Sequence, residues 1–291
     1  KRYKKSKRIP KNYPRMLMGT RIAPSMTGYL HLGHLYHLIW VYAYADKLNL
    51  PIYLRIEDHD IARSRFVYEK ALLKDLEAFG FAWSGNLLRQ SDHQYFYEKQ
   101  LKILNKAGLV YGCNCSRREI QELQEKNSNE LLYCGTCSRK KLPLDGNTVR
   151  FRVSSDEITF KDGCFGWQKQ KPSKQCGDFP IRDRSGQYTY QFCCVCDDIR
   201  QGVSHVIRGE DLLESTARQI LLFKAFNMPA PSYFHHPLLY DENGKKLSKR
   251  NQSMSLRAQL DNKVSSQILL GKALSKNQAI TLSDAIKYIS E

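Results

Sequence analysis

Two histidines and a glycine at the start of a predicted helix are residues whose types and spacing could do chemistry. His31-Leu-Gly33-His34 follows an apolar segment, residues 16–22, that is long enough for one strand. A helix N-terminus presents unpaired N–H groups and a partial positive charge, which suit phosphate. Gly33 would let an anionic ligand approach the backbone closely, and both histidines could donate to its oxygens. The apolar residues that follow share one helical face: Leu35, Leu38, Ile39, Tyr42 and Ala45.

Charged side chains stand at the ends of two later predicted strands. Residues 51–60 predict a buried strand that ends at Glu57, and residues 202–208 predict another that ends at Arg208. Strand, helix and strand in succession predict a parallel sheet with right-handed crossovers. Ligands bind at the carboxyl ends of such strands, so we expect Glu57 and Arg208 to face one crevice.

Each of these two side chains also has a structural alternative. A carboxylate at a strand end can cap the next helix, although the aspartates after Glu57 fit that role better. An arginine can grip a substrate carboxylate with two parallel hydrogen bonds. Alternatively, Arg208 could form an ion pair with Glu210 or Asp211, which follow it closely.

A basic loop stands late in the chain, at Gly244-Lys-Lys246-Leu-Ser-Lys249-Arg250. A mobile loop with two lysines can close over phosphates and neutralise charge on a leaving group. On its own such a loop is more typical of a solvated surface. Together with the two histidines upstream, Lys246 and Lys249 favour a phosphate site.

The cysteines cluster in a way that is typical of a metal site. The chain has 9 cysteines and no export signal, which predicts reduced thiols in the cytoplasm. Cys113-x-Cys115, followed at a distance by Cys134 and Cys137, is a zinc pattern. A closed shell of four ligands would make the metal structural. The alternative is a set of reduced surface cysteines without a metal.

Composition and charge narrow the class of protein. A hydrophobic content of 42% and a charged content of 26% are ordinary for a globular protein, and no apolar run is long enough to span a membrane. The net charge of +17 predicts a polyanionic partner, for which nucleic acid is the favoured interpretation. Residues 1–15 contribute much of this charge and contain no acidic side chain.

The segment from Arg21 to His34 resembles the HIGH signature of class I aminoacyl-tRNA synthetases, in the form carried by their glutamyl branch. Arg55-Ile-Glu-Asp-x-Asp60 and the lysine loop, which resembles the KMSKS signature, agree with it. The resemblance implies a doubly wound parallel α/β fold of the Rossmann type. It also implies that the carboxylate of glutamate attacks the α-phosphate of ATP, with Mg²⁺, giving glutamyl-adenylate and pyrophosphate.

The resemblance also implies roles for individual residues. Phosphate charge would be stabilised by His31, His34, Lys246 and Lys249, and Gly33 would contact ATP. Glutamate would be held by Arg21, Ala23, Ser25, Glu57, Tyr190 and Arg208. Zinc would be held by Cys113, Cys115, Tyr133 and Cys137, although Cys134 could replace Tyr133 because thiolate suits zinc better than phenolate. Cys193 and Cys194 replace small or amide residues of the family, so the pocket wall departs from the family pattern.

The resemblance divides the chain into five parts. These are a basic extension (1–15), the first half of the nucleotide-binding fold (16–110), a zinc-bearing segment with an insert like that which contacts the tRNA acceptor end (111–178), the second half with the lysine loop (179–255), and a short tail (256–291). The residues themselves predict a polar helix at 116–130, strands at 148–153 and 158–165, and at most a few short helices in the tail, whose periodicity indicates no partner. Such a tail cannot supply the anticodon-reading part of a full glutamyl-tRNA synthetase. The chain therefore resembles the short paralogues that transfer glutamate to queuosine in tRNA(Asp), and we expect a cytoplasmic monomer.

Two alternatives to this interpretation stay open at the level of the sequence. One is a truncated catalytic fragment of an ordinary glutamyl-tRNA synthetase that charges tRNA(Glu). The other is a paralogue without catalytic activity that only binds RNA. Intact signature residues disfavour the second alternative, and the RNA that receives labelled glutamate would distinguish the first.

Overall fold

A computed structural model describes residues 18–122, 132–240 and 255–291. Lys246, Lys249 and the basic block at residues 1–15 lie outside these ranges, as does most of a helix that we expected between residues 116 and 130. Among the described residues, no helix combines the length and the apolar character that a membrane span requires.

The elements alternate between strands and helices through most of the chain. The first half contains β1 (Thr20–Ile22), α1 (Leu32–Leu48), β2 (Ile52–Ile56), α2 (Phe66–Phe79), β3 (Leu88–Arg89) and α3 (Gln94–Lys106). The middle contains β4 (Val110–Cys113), α4 (Arg117–Glu122), β5 (Thr148–Phe151), β6 (Ile158–Asp162), β7 (Gly166–Gln170) and α5 (Pro172–Gln175). The last part contains β8 (Pro180–Arg182), α6 (Tyr190–Gln201), β9 (His205–Gly209), α7 (Thr216–Ala225), β10 (Ser232–His236), α8 (Leu256–Asp261), α9 (Ser266–Ala273) and α10 (Leu282–Ser290).

A parallel α/β sheet forms the centre of the molecule, as predicted. β1 pairs with β2 and β2 with β3, while β9 pairs with β10 and β10 with β6, all in parallel. The two groups of strands meet at Gly19, whose carbonyl accepts hydrogen bonds from the N–H groups of Ser204 (2.9 Å) and His205 (3.1 Å). Chain order therefore reverses between β1 and β9, and a crevice at the carboxyl ends of these two strands is the expected ligand site.

The predicted insert at residues 111–178 is divided between two sheets. β4, β5 and β8 form a separate antiparallel sheet, which carries the first cysteines. β6 and β7 form a hairpin, and β6 pairs with β10 of the central sheet. Ile158 and Phe160 of β6 are buried, whereas Thr159 and Lys161 between them are exposed. Residues 158–170 thus extend the central sheet, which the sequence division did not anticipate.

The tail at residues 256–291 is part of the core. α9 and α10 lie against α1, and Leu269, Leu270, Ala273 and Ala285 are buried in the same cluster as the apolar face of α1. Ser265 and Thr281 cap the two helices, since their hydroxyls accept from the N–H groups of Ile268 and Asp284. These short helices were expected, but packing against α1 was not, because their own periodicity identifies no partner.

Candidate active site

A cavity of about 650 Å³ opens at the carboxyl ends of β1, β2 and β9. This volume is in the range of small-molecule sites. Every predicted substrate or phosphate residue that the structure describes lies in its wall: Arg21, Ala23, Ser25, His31, Gly33, His34, Glu57, Tyr190 and Arg208. The structure therefore brings together side chains that are up to 187 positions apart in the sequence.

His31 and His34 form a reciprocal cap at the start of α1. The Nδ1 atom of His31 accepts from the N–H of Gly33 (3.1 Å), and the Nδ1 atom of His34 accepts from the N–H of His31 (3.1 Å). An imidazole nitrogen that accepts from an N–H carries no proton, so the proton of each neutral ring lies on Nε2. Both rings thus fix the helix N-terminus through one nitrogen and carry a donor N–H on the other.

A buried network of alternating charges fixes Arg21 and Glu57. Asp198 Oδ1 accepts from Arg21 Nε (3.2 Å) and from Arg55 Nη1 (2.6 Å), and Arg55 Nη2 donates to Glu57 Oε1 (3.1 Å). None of the four side chains is more than 6% exposed. Burial alone would raise the pKa of Asp198, but Arg55 and Arg21 more than offset it and hold that pKa below its usual value.

Glu57 titrates differently from Asp198 although it shares Arg55 with it. Burial raises the pKa of Glu57, and the cations Arg55 and Arg21, together with the nearby imidazole of His59, offset only part of that shift. An additional cation in the cavity would therefore complete the balance of charge around this carboxylate. The loop after β1 sets the position of Glu57. The N–H of Glu57 donates to the carbonyl of Pro24 (3.0 Å), and the backbones of Ser25 and Glu57 pair in an isolated parallel bridge.

Arg208 is held by neutral partners on several elements. Its Nε donates to His235 Nε2 (2.9 Å), Nη1 to Gln219 Oε1 (2.7 Å), and Nη2 to Thr216 Oγ1 (2.8 Å) and the carbonyl of Leu212 (3.2 Å). The alternative ion pair with Glu210 or Asp211 is not among these bonds. Arg208 is 3% exposed and lines the cavity, so its positive charge faces the site without a carboxylate partner among the residues that the structure describes.

Asp162 orients the ring of His235, which in turn holds Arg208. His235 Nδ1 and Asp162 Oδ2 are 2.6 Å apart, and because His235 Nε2 accepts from Arg208, its proton lies on Nδ1 and points at Asp162. Asp162 stands at the end of β6, so the hairpin of the middle segment supports the crevice directly. Sequence reasoning did not identify this support.

Several further side chains that shape the site were missed. Asp198, Arg55, Gln219 and Thr216 act through the residues described above. One signal was available: Asp197 and Asp198 are adjacent carboxylates inside the apolar, cysteine-rich helix α6, and a buried acidic pair requires cationic or donor partners. The partners themselves lie too far away in the sequence to be identified from spacing.

Two more histidines form a pair in the cavity wall. His37 Nδ1 and His236 Nε2 are 3.0 Å apart, and the ring of His236 stacks on Trp40 with centroids 5.8 Å apart. Burial lowers the pKa of His236 to about 4, and burial together with the neighbouring His236 lowers the pKa of His37 well below its ordinary value. Both rings are therefore neutral near pH 7.

The thiols of Cys113, Cys115 and Cys137 converge at the edge of the antiparallel sheet, all within 4.8 Å of one another. The hydroxyl of Tyr133 completes the group, at 3.2 Å from Cys113 Sγ and 3.8 Å from Cys115 Sγ. Sulfur ligands at zinc–sulfur distances of about 2.3 Å in a tetrahedron lie about 3.8 Å apart, so the spacing suits such an ion. Cys134 is exposed and contacts Thr136 instead.

Backbone contacts place Tyr133 in this group. Its N–H donates to the carbonyl of Cys176 (3.1 Å), and Gly177 pairs with it in an isolated bridge. Gly177 has φ +62°, and a Cβ there would lie 2.0 Å from the carbonyl oxygen of Tyr133. Only glycine allows this approach, which turns the tyrosine side chain toward the cysteines.

The two lysines of the basic loop are not described, but the residues on either side of their segment are. Leu238 and Leu239 line the cavity, and the N–H of Leu256 donates to the carbonyl of Leu30, another cavity residue (2.8 Å). The chain thus leaves and rejoins the described part of the molecule beside the crevice.

Comparison with known proteins agrees with this geometry. The profile of the catalytic domain of class I tRNA synthetases (E and Q) matches residues 18–274. The chain is 38% identical over 240 residues to the glutamyl-Q tRNA(Asp) synthetase of Neisseria gonorrhoeae, with 81% of each chain covered. It is 37% identical over 259 residues to that of Rhodobacter capsulatus, with 82% of this chain and 93% of the relative covered.

Solved structures share the fold at lower identity. A glutamate tRNA ligase from Elizabethkingia meningosepticum, in complex with its amino acid, has a TM-score of 0.78 and 21% identity, and covers 94% of this chain. This chain spans only 64% of that ligase. Methionyl-tRNA synthetase of Mycobacterium tuberculosis, bound by methionyl-adenylate, has a TM-score of 0.56 and 12% identity over 94% of this chain.

The profile spans most of the sequence, and the two bacterial relatives are well above 30% identical over four fifths of it. The chain therefore belongs to the class I tRNA synthetase (E and Q) family and, within it, to the glutamyl-Q tRNA(Asp) synthetases.

Proposed function

We propose that this protein activates glutamate with ATP and transfers it to the queuosine base of tRNA(Asp). The observation that carries the proposal is a single cavity that joins a carboxylate, two buried arginines and a helix N-terminus with two histidines. A zwitterionic amino acid with an acidic side chain needs the first three groups, and a nucleoside triphosphate needs the last.

Glutamate is complementary to the charges of the crevice. Arg21 and Arg208 bind its side-chain carboxylate, and Glu57 binds its ammonium group. Ala23 and Ser25 line the amino acid, and Tyr190, which lies in the same wall, closes the other side. Since the two arginines are already fixed by Asp198, His235 and Gln219, little side-chain freedom is lost on binding.

ATP occupies the part of the cavity at the start of α1. His31 and His34 donate Nε2–H to phosphate oxygens, Gly33 allows close approach, and Lys246 and Lys249 neutralise phosphate charge. Mg²⁺ bound with ATP supplies charge neutralisation at the phosphates. Activation requires no general base because the attacking carboxylate is already ionised, so positioning and charge stabilisation supply the rate enhancement.

A structural zinc ion fits the group formed by Cys113, Cys115, Tyr133 and Cys137. Four ligands from the protein leave no open position for substrate, so the ion would hold the antiparallel sheet rather than take part in the reaction. Cys134 is the sequence alternative for the fourth ligand, and its exposed position favours Tyr133.

Activation should proceed on glutamate and ATP alone. We test it as glutamate-dependent exchange of labelled pyrophosphate into ATP, with no RNA present. Exchange with aspartate or glutamine in place of glutamate is the control for the two arginines and Glu57. Absence of exchange would leave a paralogue that only binds RNA.

Transfer is tested with labelled glutamate and tRNA(Asp) that either carries or lacks queuosine, whose cyclopentene hydroxyls are the nucleophile. Periodate treatment of the 3′ ribose should leave transfer intact if the 3′ end is not the acceptor. Transfer that requires an intact 3′ ribose, or that goes to tRNA(Glu), would instead identify a truncated glutamyl-tRNA synthetase.

A further inference from the structure

The binding of glutamate and ATP proposed above assigns no role to His59, a side chain of the cavity wall that hydrogen bonds hold in place. His59 follows β2 and lines the cavity with Glu57, and its ring centroid lies 6.4 Å from that of Tyr190. Its backbone carbonyl accepts from Gln187 Nε2 (2.8 Å), which fixes the main chain at this position.

A buried relay determines which nitrogen of His59 carries the proton. The carboxylate of Asp197 takes hydrogen bonds from Gln90 Nε2 (2.8 Å), Tyr97 OH (2.8 Å) and Arg200 Nη2 (2.8 Å). Asp197 and Gln90 are both 0% exposed. Since a carboxylate accepts, Gln90 must turn its amide nitrogen toward Asp197 and its oxygen toward His59.

The proton on His59 therefore lies on Nδ1, which is 2.7 Å from Gln90 Oε1. In the neutral ring the lone pair is on Nε2, and among the described residues this nitrogen makes no hydrogen bond. A carboxylate that fixes the tautomer of an imidazole and leaves its other nitrogen free to accept a proton is the arrangement of a general base. Here an amide stands between the carboxylate and the imidazole.

We propose that His59 is the general base of the transfer step, an inference that rests on the function proposed above. The hydroxyl oxygen of the acceptor attacks the carbonyl carbon of glutamyl-adenylate while its proton moves to His59 Nε2. The bond between that carbon and the phosphate oxygen breaks, AMP leaves, and an ester forms. Nothing is oxidised or reduced.

The other imidazoles of the cavity are less suited to this role. His31 and His34 use Nδ1 to cap α1, and their second nitrogen carries a proton, so the neutral rings have no lone pair to offer. His37 is paired with His236, and burial, followed by that neighbouring ring, lowers its pKa well below the ordinary value. Glu57 is paired with Arg55 and is committed to the ammonium group of glutamate.

The test compares transfer with activation in the same preparation of His59→Ala. Preformed enzyme-bound glutamyl-adenylate is mixed with queuosine-bearing tRNA(Asp), and the first turnover is followed by label in the RNA. General base catalysis contributes about 10²- to 10⁴-fold, so we expect the ratio of transfer rate to pyrophosphate exchange to fall at least about 100-fold. His93→Ala removes a nearby half-buried histidine outside the cavity wall and is the matched control.

Rescue of transfer by added imidazole distinguishes general base catalysis by His59 from a purely structural role. The ring of His59 is half-buried at an open cavity, so free imidazole can occupy the space left in His59→Ala and should raise transfer again. Gln90→Leu, which frees the tautomer but keeps the ring, should reduce transfer by a smaller factor. Transfer within about threefold of the wild type, an equal loss of exchange, or no response to imidazole would overturn the assignment.

The two levels of proposal can fail separately. If the wild-type protein neither exchanges pyrophosphate nor labels queuosine-bearing tRNA(Asp), the proposed function is wrong and the role of His59 as its general base is refuted with it. If the wild type does both and His59→Ala does so equally well, the function stands and only the role of His59 is lost.

Discussion

The crevice and the cysteine group are both built from residues far apart in the sequence, but they are held in different ways. In the crevice each charged side chain has a partner supplied by the protein: Asp198 holds Arg21 and Arg55, and Gln219 and His235 hold Arg208. In the cysteine group, Cys115 Sγ lies 3.4 Å from Cys137 Sγ and 3.2 Å separates Cys113 Sγ from the Tyr133 hydroxyl.

That difference indicates how each region is stabilised. Hydrogen bonds and ion pairs that persist without a ligand preorganise the crevice, so a substrate meets charges already in place. The three thiols and the phenol that contact one another are all potential metal ligands, and none of them carries a positive charge. We therefore expect a bound metal ion to supply much of the stability of that segment. Substitutions should therefore affect substrate binding in one region and metal content in the other.

The largest expected effect is the loss of the metal. Protein purified without added metal should contain one zinc per chain by elemental analysis, and Cys113→Ser should lose it. Because binding of structural zinc is coupled to folding by about 10–16 kcal/mol in small domains, the segment around β4 and β5 should become sensitive to protease.

Cys134→Ser is the matched control for that experiment, since it removes a thiol that is adjacent to Tyr133 but outside the group. Cys134→Ser should retain the metal, whereas Tyr133→Phe should bind zinc more weakly. Loss of zinc in Cys134→Ser with retention in Tyr133→Phe would show that Cys134, and not Tyr133, is the fourth ligand. If the wild type contains no metal, the cysteines of the group are reduced thiols without a ligand role.

Asp198→Ala should produce the next largest effect, now on the crevice. It removes the common partner of Arg21 and Arg55 and leaves two guanidinium groups in the interior, where breaking a buried pair costs about 3–5 kcal/mol. The free energy of unfolding in urea measures this change. Asp145→Ala, which breaks a pair between Arg182 and a carboxylate that is 98% exposed, should cost less than about 1 kcal/mol. Equal effects would show that the buried network does not stabilise the fold.

Arg208→Ala should reduce glutamate affinity more than stability. Removing one partner of a buried charged contact costs about 2–5 kcal/mol, which corresponds to an increase of about 30- to 5,000-fold in the Michaelis constant for glutamate. The constant is measured by pyrophosphate exchange. Arg63→Ala removes an exposed arginine that is paired with Asp60 and should leave the constant as it is. An unchanged value in Arg208→Ala would refute its contact with glutamate.

These outcomes also show what could be predicted from the sequence. His31, Glu57 and Arg208 could be placed in one crevice because the start of a helix and the ends of parallel strands meet at one edge of a sheet. The partners that fix them could not be predicted: 177 positions separate Arg21 from Asp198, and 73 separate Asp162 from His235. Such pairs depend on how strands are ordered, which local pattern does not determine.

The same limit explains the two differences in the fold. The sequence predicts a strand at residues 148–153 from their alternation and a second strand at residues 158–165, but it does not predict that β6 pairs with β10 of the central sheet. Short helices were expected in the tail, but only their packing on α1 makes them part of the core. In both cases the sequence indicates the element and tertiary packing selects its neighbour.

The smallest predicted effect uses pH to separate Glu57 from the rest of the crevice. Burial raises the pKa of Glu57 above its ordinary value of about 4.5, and Arg55, His59 and Arg21 do not fully offset this. The ammonium group of glutamate binds the ionised carboxylate, which is present above that pKa and is lost as the pH falls through it. The Michaelis constant for glutamate should therefore increase by up to about tenfold per pH unit on the acidic side.

Asp198 supplies the contrast, because Arg55 and Arg21 overcome its burial and keep its pKa below the usual value, so the arginines stay paired over the same pH range. Glu57→Gln retains the shape of the side chain and removes the titration, so its profile should be flat at a uniformly weaker affinity. The profile is measured by pyrophosphate exchange from pH 4.5 to 8 in wild type and variant. An acidic limb that persists in Glu57→Gln would assign it to another group and separate Glu57 from the ammonium site.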